Sequence, residues 1–513
     1  MTVSDGAQVF QVSQFSRNNL RKAFLGGHDG PDRSSSLIES KRQLTYLFTH
    51  LSSLECKTIV AEYNYVDRDF LEDHSVYYVK CFKPYSRLCT RLHFFSSRIT
   101  RRQFARFVSG DEFVGIGDDT FLGFVVIKPL PEAFIGRTCL APYPKPNQLK
   151  VFPAVQNCRV HLAGREFIVK SLLFQEQDTV LAACATTAIW SALQRTGHLF
   201  RHSVPTPCEI TTMATRSGGH RGRVFPSLGL ELGQMCEAFQ AMGLDTELRG
   251  DGKYELKEFV YAYAAFGLPV ILGLEDKGAP LTTAHAVTVV GYSLTPKRAR
   301  QRVGSLLLRA SRMNSLYVHD DQSGPFVQAD IINRDTIIMP KPVADEFKVF
   351  AILVPVYRKI RIRYEKVLSK LTGLADILYF GGAALGLPIP DIEWDVRLSL
   401  GTEFQKGYRG DREALSQSRR RVLGESFPRF VWLSTGSGDN NFGLDIVVDA
   451  TDIERGFPAT RIYPRSKNCA AALKAIAADY SWLEAVARTH HLSELKASLN
   501  RWRSLLSQDG SRA

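Results

Sequence analysis

The stretch that decides the fold of this chain runs Gln177-Asp-Thr-Val-Leu-Ala-Ala-Cys184-Ala-Thr-Thr-Ala-Ile-Trp190. It places one cysteine at the start of an apolar, alanine-rich segment, which is a composition that predicts a helix. At a helix N-terminus, free N–H groups and the helix dipole favour an anion. Because the thiolate is the reactive form of cysteine, the segment predicts a nucleophile at Cys184.

Two later segments supply the partners that a nucleophilic thiol needs. His285 stands at the head of a predicted strand, 286–290, and Asp320 follows another, 315–319. Each residue alone has a structural role more often than a chemical one. Together they place cysteine, histidine and acid at successive element boundaries, which favours thiol chemistry. We therefore expect His285 to be the base for Cys184, and Asp320 to hold the imidazole tautomer.

Two glutamines precede the cysteine. Gln177 lies seven residues upstream of Cys184, and its amide is a candidate donor to an oxyanion, together with the backbone N–H of Cys184. Gln175 is an alternative for that role. In the same way, Asp321 is an alternative to Asp320.

Three segments carry a resemblance to a known family: 177–190, 267–272 with 284–292, and 316–320. They resemble the papain-like cysteine peptidase fold, and most closely the bacterial double-glycine (bacteriocin-leader) peptidases and their soluble relatives. The resemblance covers about residues 174–326. It implies a nucleophile, a general base and acid, an orienting residue and an oxyanion donor at Cys184, His285, Asp320 and Gln177, in that order.

The length of 513 residues indicates several domains. Helical patterns followed by strand patterns predict an α+β class, with a papain-like core between N- and C-terminal α+β accessory domains. We expect four regions: a flexible N-terminal arm at 1–35, an accessory domain at 36–146, the catalytic domain at 149–342 and a second accessory domain at 347–513.

Two local predictions fall within the first accessory domain. The aromatic run 75–82 predicts a strand, because alternating aromatic and β-branched residues suit a sheet. Thr100, with Gln103 three residues later, predicts the N-terminus of a helix closed by a capping box.

The net charge of +13 would suit an acidic partner. Lysines and arginines are nevertheless dispersed, and no recognition-helix or RNA-binding motif accompanies them. We therefore expect a protein or peptide substrate, and keep nucleic-acid binding by a basic cluster as the weaker alternative. The densest clusters are 98–102, 297–302, 358–363 and 419–421.

The nine cysteines are scattered singly, with no C-x-x-C pair and no H-E-x-x-H motif. This spacing argues against a disulfide framework and a structural metal site, so we expect no cofactor and no metal. No apolar run reaches the ~18 residues of a membrane-spanning helix. The N-terminal sequence lacks a secretory pattern, and the expected location is the cytoplasm.

The sequence thus predicts a thiol-dependent peptidase that forms an acyl-enzyme on Cys184. An acyltransferase, a deamidase or a transglutaminase would use the same Cys-His-Asp chemistry with a different acceptor or substrate. A third hypothesis is a non-catalytic binding or regulatory protein that attracts an acidic partner. Nothing in the sequence indicates the oligomeric state.

Overall fold

Antiparallel sheets dominate the computed structural model of this protein, and helices connect and cover them. The mixed α+β class predicted from the sequence is confirmed. The structure describes residues 10–25, 40–111, 115–144, 149–178, 180–216, 225, 229–250, 255–277, 284–296, 302–303, 305–339, 345–453 and 460–478.

The strands along the described residues are β1 (Phe10–Gln14), β2 (Thr58–Tyr65), β3 (Cys89–Phe95), β4 (Phe121–Ile127), β5 (Ile135–Leu140), β6 (Lys150–Val151), β7 (Gln156–Leu162), β8 (Arg165–Ser171), β9 (Leu244–Gly250), β10 (Val270–Asp276), β11 (Ala284–Leu294), β12 (Arg302–Val303), β13 (Leu306–Leu308), β14 (Met313–Asp320), β15 (Gly324–Ile331), β16 (Thr336–Met339), β17 (Asp345–Tyr357), β18 (Glu393–Leu400), β19 (Phe430–Ser437), β20 (Gly443–Asp449) and β21 (Thr460–Pro464).

The helices are α1 (Arg17–Leu25), α2 (Arg42–Ser53), α3 (Arg68–Val76), α4 (Arg101–Val108), α5 (Cys184–Phe200), α6 (Pro207–Ala214), α7 (Leu232–Ala241), α8 (Leu256–Ala264), α9 (Tyr364–Ala384), α10 (Gly401–Gly410), α11 (Ser416–Gly424) and α12 (Lys467–Ala478). Within the described part of the chain, none of them is long and apolar enough to cross a bilayer.

The chain divides into two compact units, and each is discontinuous in sequence. The first comprises Met1–Lys253, Gly267–Ser293 and Asn314–Val356. The second comprises Tyr254–Phe266, Leu294–Met313 and Tyr357–Ala513. The boundaries expected near 146–149 and 342–347 stay predictions.

The first sheet of the first unit has the strand order β1-β2-β3-β4-β5 and is antiparallel throughout. Strand alternation sends Val60 to one face, where it packs in a core with Phe104 of α4. Ile59 points to the opposite face and packs with Leu47 of α2. Because both faces are covered, β3 and β4 are buried along their whole length.

The prediction of a flexible arm through residue 35 is wrong for 10–25. Strand β1 pairs in register with β2, from Phe10 opposite Glu62 to Gln14 opposite Thr58. Helix α1 then buries Leu20 and Phe24 in the core beneath the sheet. Polar residues dominate this segment in number, but a few apolar side chains at helical spacing are enough to dock it. Residues 1–9 and 26–35 of the predicted arm lie outside the described residues.

Of the two local predictions, one is confirmed and one is wrong. Thr100 and Gln103 form the predicted capping box at the start of α4. The run 75–82 is not a strand, because it holds the end of α3 and the 3₁₀ turn Tyr78–Lys80. Asp67 caps α3 by accepting hydrogen bonds from two backbone N–H groups, and so starts a helix that continues into the aromatic run.

The second sheet of the first unit closes into a six-stranded barrel. Its order is β10-β11-β14-β15-β16-β17, and β17 pairs back onto β10. The short strands β6 and β9 extend it at β11 and β17. Helix α5 is joined to this sheet by a hydrogen bond of 2.9 Å from the Thr288 hydroxyl to the Ala188 carbonyl. This contact brings the cysteine helix and the histidine strand together.

The second unit is built on a six-stranded sheet of order β12-β13-β18-β19-β20-β21. Helix α8 belongs to this unit, although it falls within the predicted catalytic domain. Its Tyr263 ring lies 5.3 Å from that of Trp432 on β19, and its Phe259 ring lies 6.1 Å from that of Tyr364. A segment from the middle of the sequence therefore completes the core of the C-terminal sheet.

Candidate active site

Cys184 is the first residue of α5, as the sequence predicts. The preceding residue, Ala183, has an extended backbone and no side-chain cap, so no side chain occupies the first N–H groups of the helix. The Cys184 side chain is half-buried. A thiolate at this position would lie beside free backbone donors and the positive end of the helix dipole.

The turn that leads into Cys184 is organised by a buried carboxylate that sequence reasoning missed. Asp178 accepts hydrogen bonds from the backbone N–H groups of Val180, at 2.7 Å, and Leu181, at 3.4 Å. Its own N–H donates to the Ala182 carbonyl at 2.7 Å, and the Tyr78 hydroxyl donates to its second oxygen. The only sequence signal was an aspartate able to form an Asx turn.

His285 lies at the start of β11, and Asp320 is the last residue of β14. These strands are neighbours in the barrel. The His285 Nε2 atom lies 2.8 Å from Asp320 Oδ1, and because a carboxylate only accepts, Nε2 is the donor. Both side chains are buried. The turn after Asp320 adds a 3.1 Å hydrogen bond from the Gln322 N–H to the same oxygen.

The pKa values of this pair move apart. Burial by itself would lower the pKa of His285, but its hydrogen bond with Asp320, its interaction with the Cys184 thiol, and the charges of Asp320 and Asp321 raise it well above its usual value. Burial would raise the pKa of Asp320, yet the contact with His285 holds it below the usual range. Both shifts favour an imidazolium beside a carboxylate.

The Cys184 thiol lies close to this pair, since its interaction with the His285 imidazole is among the causes that raise the pKa of the histidine. The ring nitrogen Nε2 is already engaged by Asp320. The buried Nδ1 atom has no hydrogen-bond partner within the described residues, and is therefore the ring nitrogen that remains available to the thiol. The structure thus brings Cys184, His285 and Asp320 together.

Asp321 lies beside the pair without sharing its hydrogen bond. Its Oδ1 is 3.6 Å from His285 Nε2, which is too long for a hydrogen bond, and neither carboxylate oxygen has a hydrogen-bond partner among the described residues. Burial raises the pKa of Asp321 to about 7, against the opposing effect of His285. Asp320 is therefore the aspartate that contacts the imidazole directly.

The two glutamines are not in hydrogen-bonding contact with Cys184, His285 or Asp320 in the described part of the chain. They differ in environment. Gln175 is buried, and its Nε2 donates no hydrogen bond to any described residue. Gln177 is half-buried. The buried side-chain amide of Gln175, the alternative oxyanion donor, therefore has a hydrogen-bond donor without a partner among the described residues.

Residues at the start of helix α2 form hydrogen bonds with the segments next to the Cys184–His285–Asp320 cluster. Gln43 donates to the Asp321 carbonyl at 3.0 Å and to Glu176 at 3.3 Å. Glu176 also pairs with Lys41 at 2.6 Å and accepts from the Ile135 N–H at 3.0 Å. Sequence reasoning gave no signal for this network, because Gln43 and Asp321 lie 278 positions apart.

The turn between β14 and β15 also depends on α2. Gly324 has φ +149°, and a Cβ at this position would collide with the ring of Tyr46. The Tyr46 hydroxyl donates to the Pro325 carbonyl at 2.8 Å. Glycine therefore permits the close approach of α2 that holds the turn after Asp320 in place.

The same cluster offers metal-ligand atoms. His285, Asp320 and Asp321 each present one such atom within 4.8 Å of the others, and they form the group in the described chain that could hold a metal ion. Imidazole and carboxylate suit zinc. A cation bound at Nε2 would have to displace the hydrogen bond to Asp320. The expectation that the protein needs no metal stays a prediction.

The basic clusters are partly engaged in contacts within the protein. The Arg361 guanidinium donates to the Thr451 carbonyl at 2.8 Å, and Arg421 pairs with Glu425 at 2.8 Å. Residues 297–301 of another cluster lie outside the described residues. Nucleic-acid binding stays the weaker alternative.

Comparison with known protein families and with curated proteins finds no match to this chain.

Proposed function

We propose that this protein is a thiol-dependent peptidase with a papain-like catalytic core over about residues 174–326. One observation carries the proposal: Asp320 engages His285 Nε2 at 2.8 Å and leaves Nδ1 for a thiol at the N-terminus of α5. A nucleophile, a base and a residue that orients the base are the minimum for covalent thiol catalysis. The substrate is a protein or peptide, and the compartment is the cytoplasm.

In the proposed reaction, the Cys184 thiolate attacks the carbonyl carbon of an amide, while the proton of the thiol resides on His285. The tetrahedral intermediate collapses, the C–N bond breaks, and His285 gives its proton to the leaving amine. A water molecule then loses a proton to His285 and attacks the thioester, which releases the carboxylic acid and restores the thiol. Asp320 keeps the ring in one orientation and stabilises its charged form.

The developing oxyanion needs donors on one side of the thiol. The backbone N–H of Cys184 is the first of them, because no side chain caps this end of α5. The second would be an amide, from Gln177 in the proposed family pattern or from Gln175. The lack of a partner for the Gln175 Nε2 supports the second choice. Comparing Gln175→Ala with Gln177→Ala in kcat separates the two.

The direct test is the rate of alkylation of Cys184 by iodoacetamide, read by peptide mass spectrometry. Cys236, another half-buried free cysteine, is the internal control. We expect Cys184 to react at least about tenfold faster at neutral pH, and the advantage to vanish in His285→Ala. Equal rates at the two cysteines in the unmodified protein would refute the proposal.

A second measurement distinguishes hydrolysis from transfer to another acceptor. With a casein digest as substrate, a peptidase releases new amino termini, and Cys184→Ala abolishes their release. Release of ammonia from glutamine side chains, or incorporation of an added amine, would instead assign the acyl-enzyme to a deamidase or a transglutaminase.

A further inference from the structure

A second chemically unusual site lies in the first unit, away from Cys184. It is a cavity of about 550 Å³ beside the β7–β8 hairpin. No aspartate or glutamate is among the described residues that line it. Its reactive and basic lining residues are Arg91, Arg137, Arg159, His161, Cys139 and Cys158.

The two cysteines of this cavity are neighbours, since Cys158 packs against the core cluster that contains Cys139. Cys139 on β5 and Cys158 on β7 are both free thiols that line this cavity, and each is the first cause of the shift in the other's pKa. Ser171, at the end of β8, explains why they meet. Its hydroxyl donates to the Leu140 carbonyl at 2.6 Å, and its own carbonyl lies 3.7 Å from the Cys158 sulfur. Two strands from separate sheets are thus held side by side.

The two thiols are not equivalent. Cys139 is fully buried, whereas Cys158 is half-buried. The interaction between the two thiols lowers the pKa of Cys158 and raises that of Cys139. Cys158 is therefore the thiol that is both accessible and ready to become a thiolate, and Cys139 is placed behind it as a second, resolving thiol.

The arginines give the cavity its positive charge, but they differ in how closely each is paired with a carboxylate. Arg91 pairs with Glu62 at 2.7 Å, and Arg137 pairs with Asp67 at 2.8 Å. Arg159 is different, because its side chain is 76% exposed and Glu166 is 4.0 Å away. Of the three arginines, Arg159 is therefore the one whose charge is most available to an incoming anion.

We propose that this cavity is a thiol–disulfide exchange site that accepts an anionic, carboxylate-bearing low-molecular-weight disulfide. The pair of thiols in the lining supplies the chemistry, and a basic lining without carboxylates supplies the selection of charge. The site is independent of the proposed peptidase chemistry, because neither cysteine belongs to the Cys184 cluster.

The exchange proceeds in two balanced steps. The Cys158 thiolate attacks one sulfur of the disulfide RSSR, so that a Cys158–SR bond forms and RS⁻ leaves. Cys139 then loses its proton and attacks the Cys158 sulfur, which forms the Cys139–Cys158 disulfide and releases the second RS⁻. The two protons of the protein thiols end on the two RS⁻ groups. Two protein thiols are oxidised and one RSSR is reduced to two RSH.

The test compares two disulfides of opposite charge on the reduced, full-length protein. Oxidised glutathione carries carboxylates, and cystamine carries ammonium groups. Peptide mass spectrometry follows formation of the Cys139–Cys158 disulfide over time. We expect this bond to form before the half-buried Cys236 is modified, and to form faster with oxidised glutathione than with cystamine. Cys158→Ser should abolish it.

Arg159→Gln tests the charge selection, with Lys170→Gln as its matched control. Lys170 is exposed on the same hairpin, opposite Asn157, and does not line the cavity. Arg159→Gln should slow the reaction with oxidised glutathione several-fold and leave that with cystamine unchanged, whereas Lys170→Gln should change neither. The proposal is overturned if cystamine reacts as fast as oxidised glutathione, or if Cys158 keeps a mixed disulfide that Cys139 never resolves.

Discussion

At the scale of single residues, the candidate chemistry centres on one imidazole next to two aspartates. Asp320 accepts the Nε2 hydrogen bond of His285, and Asp321 lies just beyond hydrogen-bond range. The hydrogen bond orients the ring and stabilises its charge, whereas the second carboxylate acts only through its field. Substitutions at these two positions should therefore have different effects.

Asp320→Asn should lower kcat/KM by about 10²-fold or more, because the amide no longer favours the imidazolium or its orientation. Asp321→Asn should have a much smaller effect. Steady-state kinetics with a peptide substrate would compare the two isosteric variants. If Asp321→Asn proved the more damaging, Asp321 would be the orienting residue.

The His285–Asp320 pair also predicts a pH dependence of stability. The pKa of His285 is raised in the folded state. Its contribution to the free energy of unfolding is therefore complete below about pH 6.5, and is lost as the pH rises through the raised pKa of the folded state. The pKa of Asp320 is lowered in the folded state. Its contribution to the free energy of unfolding is therefore present above about pH 4, and is lost as the pH falls through the lowered pKa. A double-mutant cycle with His285→Gln and Asp320→Asn should give its largest coupling free energy between those values. Urea denaturation at several pH values measures it, and a coupling independent of pH would contradict the assignment of charges.

Asp321 predicts a pH dependence of stability opposite in sign to that of Asp320 and equal in sign to that of His285. Its pKa rises from about 4 in the unfolded chain to about 7 in the folded protein, so the folded state binds the proton more tightly. The wild-type protein should therefore lose stability as the pH rises across this range. Asp321→Asn should remove that loss, so that its stability relative to wild type grows with pH. Thermal denaturation from pH 5 to pH 8 tests this, and parallel curves for the two proteins would contradict it.

At the scale of elements, the position of the thiol depends on the turn that enters α5. Asp178 shapes this turn through backbone N–H groups, in the way that Asp67 and Thr100 cap their helices. Thr100 is exposed, whereas Asp178 is buried and also accepts a hydrogen bond from the Tyr78 hydroxyl within the core. Loss of Asp178 should thus affect both stability and the reactivity of the neighbouring thiol.

Asp178→Ala should lower the free energy of unfolding by about 1–3 kcal/mol, because buried donors lose their acceptor. It should also slow alkylation of Cys184. Thr100→Ala is the control, since loss of an exposed cap costs about 1 kcal/mol and leaves the thiol site alone. Urea denaturation and iodoacetamide labelling together make the test. Unchanged labelling in Asp178→Ala would show that the turn does not position Cys184.

At the scale of the whole molecule, the two compact units are each built from separate segments of the chain, whereas the domains predicted from the sequence are continuous. Tyr254–Phe266 and Leu294–Met313 lie between segments of the first unit and belong to the second. Within the second unit, β13 pairs in parallel with β18, and Tyr261 of α8 donates to Asp395 at 2.9 Å. These segments depend on residues beyond 357 for their packing.

A chain truncated after residue 356 should therefore be poorly soluble. Phe259 and Tyr263 of α8 would lose the aromatic partners that bury them. Expression of 1–356 beside the full chain, followed by size-exclusion chromatography, measures this. A monomeric, cooperatively unfolding 149–342 fragment would instead support the linear boundaries.

Features that depend on neighbouring residues were predictable from the sequence, and features that depend on distant residues were not. The start of α5 at Cys184 and the capping box of α4 were predictable, because helix signals act within a few residues. The composition of 75–82 predicts a strand, but Asp67 lies upstream of that run and caps the helix that extends into it. The Gln43 brace on Asp321 had no signal, since a long-range contact leaves no local pattern.

The sequence by itself determined which residue types would stand at the element boundaries: a cysteine at a helix start, a histidine at a strand head and an acid at a strand end. Only the tertiary structure decided which acid touches the imidazole and which cysteines meet. Asp320 and Asp321 are neighbours in the chain, and pairing of β14 beside β11 directs Asp320 to His285. Cys139 and Cys158 lie in different sheets, and Ser171 holds those strands together. Local propensities act over one or two turns, whereas these contacts arise from strand pairing between distant segments.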